Sequence, residues 1–444
     1  MNYCVSWIFP KSSVRLSLLV LLAFIGAGGS GCTPRKPEGP STAAPAQPAA
    51  QKASETAPTT WSVPEPMLVR KEKDFRGFAR AVLVGGHPLL LTRQVLPVDR
   101  KGALPPGEGP DRLKNQVDLL LRNVETLLAE NGSGWDKLVR IHGYVTGVDA
   151  AQVLIEGLAS RMPEGDRPAL SVVETPLPLE GAQVAIDVVA ISAEDVKTLT
   201  LRRSSTIWGE EGFADVALLP AVGLGFFSGY PEKGEQTEAA AKSLGGLLEL
   251  GQQLGVTRSD IAYFRAFVQP VSLANTVKSQ LRKTFVDQLV PPAAYVEWIA
   301  SAPVEVEMIA ALRSPSALLG DKIRFYNPPG VKPSPTFTRV VLASPGVYIF
   351  TGGLIAQEAP DGVAEVRDIF KQLSDLVDQS GSDLRHLLKA TYCVSGKESS
   401  AALDKLRPEY FDPARPPAAS KVTVHGVAAK DRSIVVDMIA LGSK

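Results

Sequence analysis

The sequence predicts an α+β protein in which one unit occurs three times along the chain. One landmark of the unit is an apolar helix that ends at a glycine; these glycines are Gly132, Gly255 and Gly381. A second landmark is a Pro-Ala dipeptide, which occurs at Pro168-Ala169, Pro292-Ala293 and Pro417-Ala418. Because both landmarks recur in one order at intervals of 123 to 126 residues, we expect three tandem domains.

Hydrophobic periodicity predicts the elements of each unit. In the first unit, apolar residues at helical spacing predict a helix over 116–131. A run of β-branched and aromatic residues then predicts a strand, which covers 138–145, 261–268 and 388–394 in the three units. A second helix is expected before the dipeptide. The closing strands are 184–190, 304–310 and 434–440, and each holds an acidic residue: Asp187, Glu307 and Asp437.

Length and charge narrow the class of protein. A chain of 444 residues exceeds what one hydrophobic core usually supports, and the repeats place the three units at 61–196, 197–318 and 319–444. Lys and Arg number 47, as do Asp and Glu, so we expect no broad basic surface for nucleic-acid phosphates. Nucleic acid is therefore not an expected partner.

The first 31 residues are predicted to be an export signal. Lys11 and Arg15 precede an apolar run over 16–25, which is too short for a transmembrane helix of about 20 residues. Small residues follow, up to Cys32, and resemble a bacterial lipobox. This predicts cleavage before Cys32, lipidation of its thiol and a cell-envelope location on the periplasmic face of a membrane. Gly29 stands where lipoboxes usually carry Leu, so ordinary secretion is the alternative.

Residues 32–60 are rich in Pro and Ala and are predicted to form an extended, flexible tether. Cleavage before Cys32 would remove Cys4, so Cys393 would be the remaining free thiol. Cys393 lies in an apolar strand, where a buried, inert thiol is expected.

Three stretches of the first unit resemble a known protein family. The stretch from Gln116 to Gly132, the tripeptide 167–169 and the strand over 185–190 resemble the RidA/YjgF family of reactive-intermediate deaminases, also called L-PSP proteins. The resemblance extends over about residues 65–442. It implies a chorismate-mutase-like fold, in which two helices cover one face of a mixed sheet. Family members are homotrimers with a ligand cleft at each subunit junction, so three fused copies imply a monomeric, single-chain pseudo-trimer.

The resemblance also implies an activity, the hydrolysis of enamines and imines such as 2-aminoacrylate. In the family an arginine directly after Pro-Ala binds the substrate carboxylate. In this chain Leu170, Ala294 and Ala419 occupy that position. The cleft positions near the N-terminal strands are Ser228-Gly229 and Thr351-Gly352, and Thr92-Arg93 in the first unit. Arg93, Arg167 and Arg415 are the candidates for a displaced cation. For Arg167 and Arg415, solvated or loop-fixing roles are the alternative.

The closing-strand acids are the catalytic candidates, because Asp187, Glu307 and Asp437 keep the position at which the family holds its water-positioning carboxylate. The alternative is that they are paired, structural carboxylates. Two functions therefore stay open. One is a small-metabolite or partner-binding module with arginine-less clefts, and the other is a divergent enamine or imine deaminase. No cofactor is expected. No metal is expected either, because the four histidines are scattered along the chain.

Overall fold

The computed structural model describes residues 67–69 and 77–443. The predicted export signal (1–31), Cys32 and the predicted tether (32–60) lie outside the described residues. The described residues belong to one compact unit by their contacts. In the part of the chain that the structure describes, no helix is long and apolar enough to cross a membrane.

The same order of six strands and two helices is found in each of the three units. In the first unit the elements are β1 Met67–Val69, β2 Ala81–Gly85, β3 Leu89–Thr92, α1 Gly109–Glu130, β4 Leu138–Val145, α2 Val148–Arg161, β5 Ala169–Glu174 and β6 Val184–Ile191. In the second unit they are β7 Thr200–Arg202, β8 Val216–Leu219, β9 Gly223–Glu232, α3 Gln236–Gln253, β10 Ile261–Val268, α4 Ala274–Thr284, β11 Ala293–Glu297 and β12 Val304–Leu312. In the third unit they are β13 Ile323–Tyr326, β14 Val340–Ala343, β15 Val347–Thr351, α5 Gly362–Gln379, β16 Leu387–Val394, α6 Lys397–Tyr410, β17 Ala418–Thr423 and β18 Ile434–Leu441.

The predicted strands after the glycines and the predicted closing strands are confirmed to within two residues at each end. The three landmark glycines adopt a left-handed φ of 65° to 76°, which favours glycine directly after a helix. Helix α1 begins at Gly109, seven residues earlier than predicted from the apolar spacing. Pro110 lies in its first turn, where the missing N–H costs nothing.

Three mixed sheets of six strands form the fold. Their orders are β5-β4-β6-β3-β8-β7, β11-β10-β12-β9-β14-β13 and β17-β16-β18-β15-β2-β1. Each sheet takes four strands from one unit and two from another, and β1 and β2 of the first unit complete the sheet of the third. The resemblance implies one mixed sheet in each unit. The structure has three mixed sheets, but each of them also contains two strands of another unit.

The exchange of strands takes place at three short connections. Residues 86–88, 220–222 and 344–346 each pass from one sheet to the next instead of closing a hairpin. Each connection contains a proline, which has no N–H to donate to a hairpin ladder. Each sheet therefore includes strands from two neighbouring units.

Four hydrophobic cores follow from this layering. Three of them lie between the helices of one unit and the sheet beneath them. The fourth contains residues of all three units, for example Tyr144, Phe267 and Cys393. This shared core joins the sheets through the faces that the helices leave uncovered, and the polar groups described next lie in it.

Candidate functional site

A buried cluster of charged and polar side chains lies among the strands of the shared core. We define this central cluster by its members, which are Arg140, His142, Tyr144, Asp187, Arg265, Glu307, Lys389 and Asp437. Its members on one strand stand two residues apart, because alternate side chains of a strand point to the same face. His142 lies directly opposite Asp187, and Arg265 directly opposite Glu307, on neighbouring antiparallel strands.

Asp437 connects the third unit to the first. Arg140 Nη1 lies 3.3 Å from Asp437 Oδ1, and His142 Nε2 lies 3.6 Å from the same oxygen. Burial by itself raises the pKa of a carboxyl group, but the nearby His142 and the charge of Arg140 outweigh burial and hold the pKa of Asp437 well below its ordinary value. Asp437 is therefore an ion-paired carboxylate.

Asp187 is bound from its own unit and faces a cation of the second. His142 Nδ1 lies 3.0 Å from Asp187 Oδ1, and the Tyr144 hydroxyl donates to Oδ2. Arg265 Nη2 lies 3.8 Å from Oδ2. Burial again opposes ionisation, but the contact with His142 and the charge of Arg265 lower the pKa of Asp187 to about 2.

Glu307 connects the second unit to the third. Lys389 Nζ donates to Glu307 Oε2 over 2.7 Å, and the Ser420 hydroxyl donates to the same oxygen. Arg265 Nη1 lies 3.9 Å from Oε1. All three closing-strand acids thus lie beside a cation of a neighbouring unit.

The predicted cleft positions are brought together in pairs at the unit junctions. Between the second and third units, the Ala419 N–H donates to Ser228 Oγ over 2.8 Å. Between the third and first units, the Gly353 N–H, next to Gly352, donates to the Leu170 carbonyl over 2.9 Å.

The first and second units meet in the same way. The Gln94 N–H donates to the Ala293 carbonyl over 3.0 Å. This contact brings together the two chain segments that contain Thr92 and Ala294. Thr92 Oγ1 accepts from the Val188 N–H over 3.0 Å; Thr351 Oγ1 accepts from the Met438 N–H over 2.8 Å. These two hydroxyls therefore accept backbone bonds from their own closing strands.

The candidate displaced arginines all contact other residues of the chain. Arg93 donates to Asp215 of the second unit and to the carbonyls of Gln94 and Trp208. Arg167 donates to the carbonyls of Met162 and Ala159. Arg415 lies over the ring of Phe325 at 5.2 Å. The contacts of Arg93 therefore join the first unit to the second.

Two residues of the junction between the second and third units were missed by the sequence reasoning. The buried carboxyl of Glu305 lies over Gly229, where the Cβ of any other residue would come within 1.7 Å of Glu305 Oε1. Burial, and then the charge of Glu307, raise the pKa of Glu305 to about 8. The paired acids of 304–310, two residues apart in an apolar strand, were a signal of this position.

Arg339 is the second missed residue. Its guanidinium lies 5.4 Å from the centre of the Tyr230 ring and 5.2 Å from that of Phe337, and its charge acts on Glu305. Among the described residues, no acceptor takes a hydrogen bond from its side chain. The Ser228 N–H bonds to the Arg339 carbonyl over 2.9 Å, so this arginine belongs to the same junction.

The histidines do not assemble a metal centre among the described residues, where no group of three or more His, Cys, Asp and Glu side chains is placed to hold an ion. His142 is nevertheless a central member of the buried cluster. His386 and His425 instead contact Asp383 and Glu297.

Among known proteins, chains similar to this one are found in solved structures. No family model and no curated protein matches the chain. A YjgF family protein from Neisseria meningitidis is 18% identical and covers 28% of this chain and 96% of its own, with a TM-score of 0.21. The Rid family protein YyfB from Yersinia pestis is 19% identical and covers 27% of this chain and 99% of its own, with a TM-score of 0.25. A chorismatase is 12% identical and covers 69% of this chain and 93% of its own, with a TM-score of 0.23. Values this low carry no argument about activity.

Proposed function

We propose that this protein is an exported, lipid-anchored RidA-like module. In this proposal its three units form a single-chain pseudo-trimer that binds a small metabolite and does not hydrolyse imines. The observation that carries the proposal is that Asp187, Glu307 and Asp437 already lie beside cations of neighbouring units. The shared core of all three units supports the pseudo-trimer, and the lipobox-like sequence before Cys32 supports the anchor.

The ion pairs of the three closing-strand acids argue against a role of these acids in activating water. A general base must accept a proton, and its pKa should lie near the working pH. The lowered pKa values of Asp187 and Asp437 make them weak bases, and Glu307 is held by Lys389 and Ser420. Leu170, Ala294 and Ala419 offer no cation to a substrate carboxylate at the position where the family carries one.

Ligand binding is most favourable at the junction between the second and third units. The Arg339 guanidinium is held between two aromatic rings, and its N–H groups are free of hydrogen bonds to the described residues. A planar guanidinium of this kind suits the paired oxygens of a carboxylate or phosphate. With a pKa of about 8, Glu305 is mostly protonated at neutral pH and can donate to such an oxyanion. A small oxyanion is therefore the proposed ligand.

One observation favours the second candidate, a divergent deaminase. Glu305 and Glu307 face the same junction, and only Glu307 makes the contact with Lys389. A carboxyl group whose pKa is raised by burial and by a neighbouring carboxyl group is typical of acid–base catalysis. If the chain hydrolyses imines, this junction is the place.

An imine-hydrolysis assay separates the two functions. Purified residues 61–444 are coupled to an amino-acid oxidase and compared with an active RidA protein under the same conditions. The proposal expects no rate above buffer. A rate that both Glu305→Gln and Glu307→Gln abolish establishes the deaminase and rejects the module.

Binding is tested on the same protein by calorimetry with acetate, succinate and inorganic phosphate. Arg339→Gln is expected to abolish the heat of binding. Arg324→Gln is the matched control, because Arg324 also lies over a tyrosine ring but donates to the Ala317 carbonyl. No binding by the unaltered protein, or equal loss in both variants, would overturn the proposed ligand class.

A further inference from the structure

A small cavity lies inside the shared core. It has about 20 Å³ of space for the centres of water molecules. All three units contribute to its lining, with His142 and Ser171 from the first, Arg265 from the second, and Thr391, Cys393 and Asp437 from the third. This space is distinct from the Arg339 position, and its lining does not include the residues on which the proposed ligand binding depends.

Three polar atoms of the lining residues have no hydrogen-bond partner among the described residues. They are His142 Nε2, Ser171 Oγ and Arg265 Nε, and all three residues are more than nine-tenths buried. Leaving a buried polar atom unpaired costs about 1–3 kcal/mol, so such atoms are rare unless a bound molecule satisfies them.

His142 Nδ1 has two polar neighbours. It lies 3.0 Å from the carboxylate oxygen Oδ1 of Asp187 and 3.0 Å from Arg265 Nη2. The carboxylate can only accept a hydrogen bond and the guanidinium can only donate one, so these two contacts allow the ring hydrogen on either nitrogen. A water molecule can donate or accept, and it can therefore bond to Nε2 in either case.

Nε2 lies 3.6 Å from Asp437 Oδ1, which is too long for a direct hydrogen bond. A water molecule placed beside both atoms can bond to each of them, because water both donates and accepts. The Ser171 hydroxyl, which also lines the cavity, can donate to the same molecule.

We propose that the cavity binds one water molecule, which donates to Asp437 Oδ1, accepts from Ser171 Oγ and forms a hydrogen bond with His142 Nε2. A water needs roughly 10–15 Å³ of such space and two to four polar partners, and the cavity meets both conditions without room for an organic ligand. The positive charges of Arg140 and Arg265 disfavour a cation of the same size. The water thereby links the first unit to the third.

The first test is a crystal structure at a resolution that shows ordered water. We expect a density peak within hydrogen-bond distance of His142 Nε2, Asp437 Oδ1 and Ser171 Oγ. An empty cavity, or a direct contact of His142 Nε2 with Asp437, overturns the proposal.

Ring ¹⁵N NMR at pH 7.5 tests the same site in solution. We expect cross-relaxation between the His142 ring and a long-lived water. A His142 ring without cross-relaxation to such a water would overturn the proposal.

Ser171→Val fills the cavity and removes the hydroxyl, so it is expected to abolish the water signal and to lower the thermal midpoint by several degrees. Ser259→Val is the control, because Ser259 is exposed and lies outside the cavity. If Ser171→Val does not fold, the density and the NMR of the unaltered protein still decide.

Discussion

Lys389 Nζ lies 2.7 Å from Glu307 Oε2, and the two residues belong to different units of the chain. Both side chains are less than one-tenth exposed. A buried ion pair is weak evidence for net stability, but removal of one partner leaves an uncompensated charge away from water. The pair therefore fixes how the second and third units meet.

Lys389→Met is expected to lower the free energy of unfolding by about 3–5 kcal/mol, because Glu307 is left buried without its cation. Urea titration measures the change. Lys421→Met is the control, since its partner Asp404 is about half exposed and such pairs contribute about 0–1 kcal/mol. The double variant Lys389→Met/Glu307→Gln should recover part of the loss, and equal effects of Lys389→Met and the control would contradict this role.

The carboxylate of Asp187 makes the free energy of unfolding depend on pH. Its pKa is lowered from 3.8 to about 2 on folding, so its contribution is full above pH 4 and is lost as the pH falls through 2. We expect a loss of about 2 kcal/mol over this range from this group. In Asp187→Asn the corresponding part of the pH dependence should be absent, and urea titrations between pH 2 and 7 measure it. An unchanged slope in the variant would show that the carboxylate is not stabilised in the folded state.

Glu305 makes stability depend on pH in the opposite direction. Because folding raises its pKa from 4.5 to about 8, the folded state holds the proton more tightly, and stability is lost as the pH rises from 4.5 through 8. Glu305→Gln mimics the protonated group and should flatten this decline, whereas the exposed control Glu238→Gln should leave it unchanged. Unfolding midpoints between pH 5 and 9 provide the measurement. A decline that persists in Glu305→Gln would place its cause elsewhere.

The exchange of strands can be tested by cross-linking. Leu83 of β2 lies directly opposite Ile349 of β15, so Leu83→Cys with Ile349→Cys should form a disulfide within one chain. If 86–88 instead closed a hairpin, Leu83 would face Leu91. Mass spectrometry of the oxidised, digested protein distinguishes the two pairings. Efficient cross-linking of Leu83→Cys with Leu91→Cys would reject the exchanged sheet.

Much of the local structure could be predicted from the sequence. Glycines after apolar helices and β-branched runs after the glycines are local signals, and they located β4, β10 and β16 correctly. The partner of each strand is not a local property. β2 and β3 are separated by three residues, yet β2 pairs with β15, which follows more than 260 residues later.

The same limit applies to the candidate site. The closing-strand acids were found because the repeats align them. Their partners are an arginine or a lysine on the strand that follows the landmark glycine of another unit, and this pairing between units is not a local property of the sequence. Arg140 and Asp437, for example, are 297 residues apart in the sequence. Arg140 and His142, two polar residues on alternate positions of an apolar strand, were the available signal of a buried polar face.

The different partners of the three acids restrict how recombination can change the order of the units. Arg140 of the first unit pairs with Asp437 of the third, and Lys389 of the third pairs with Glu307 of the second. Shuffling or deleting a unit would therefore leave buried charges without their partners. Natural selection consequently acts on the three units as a single gene product.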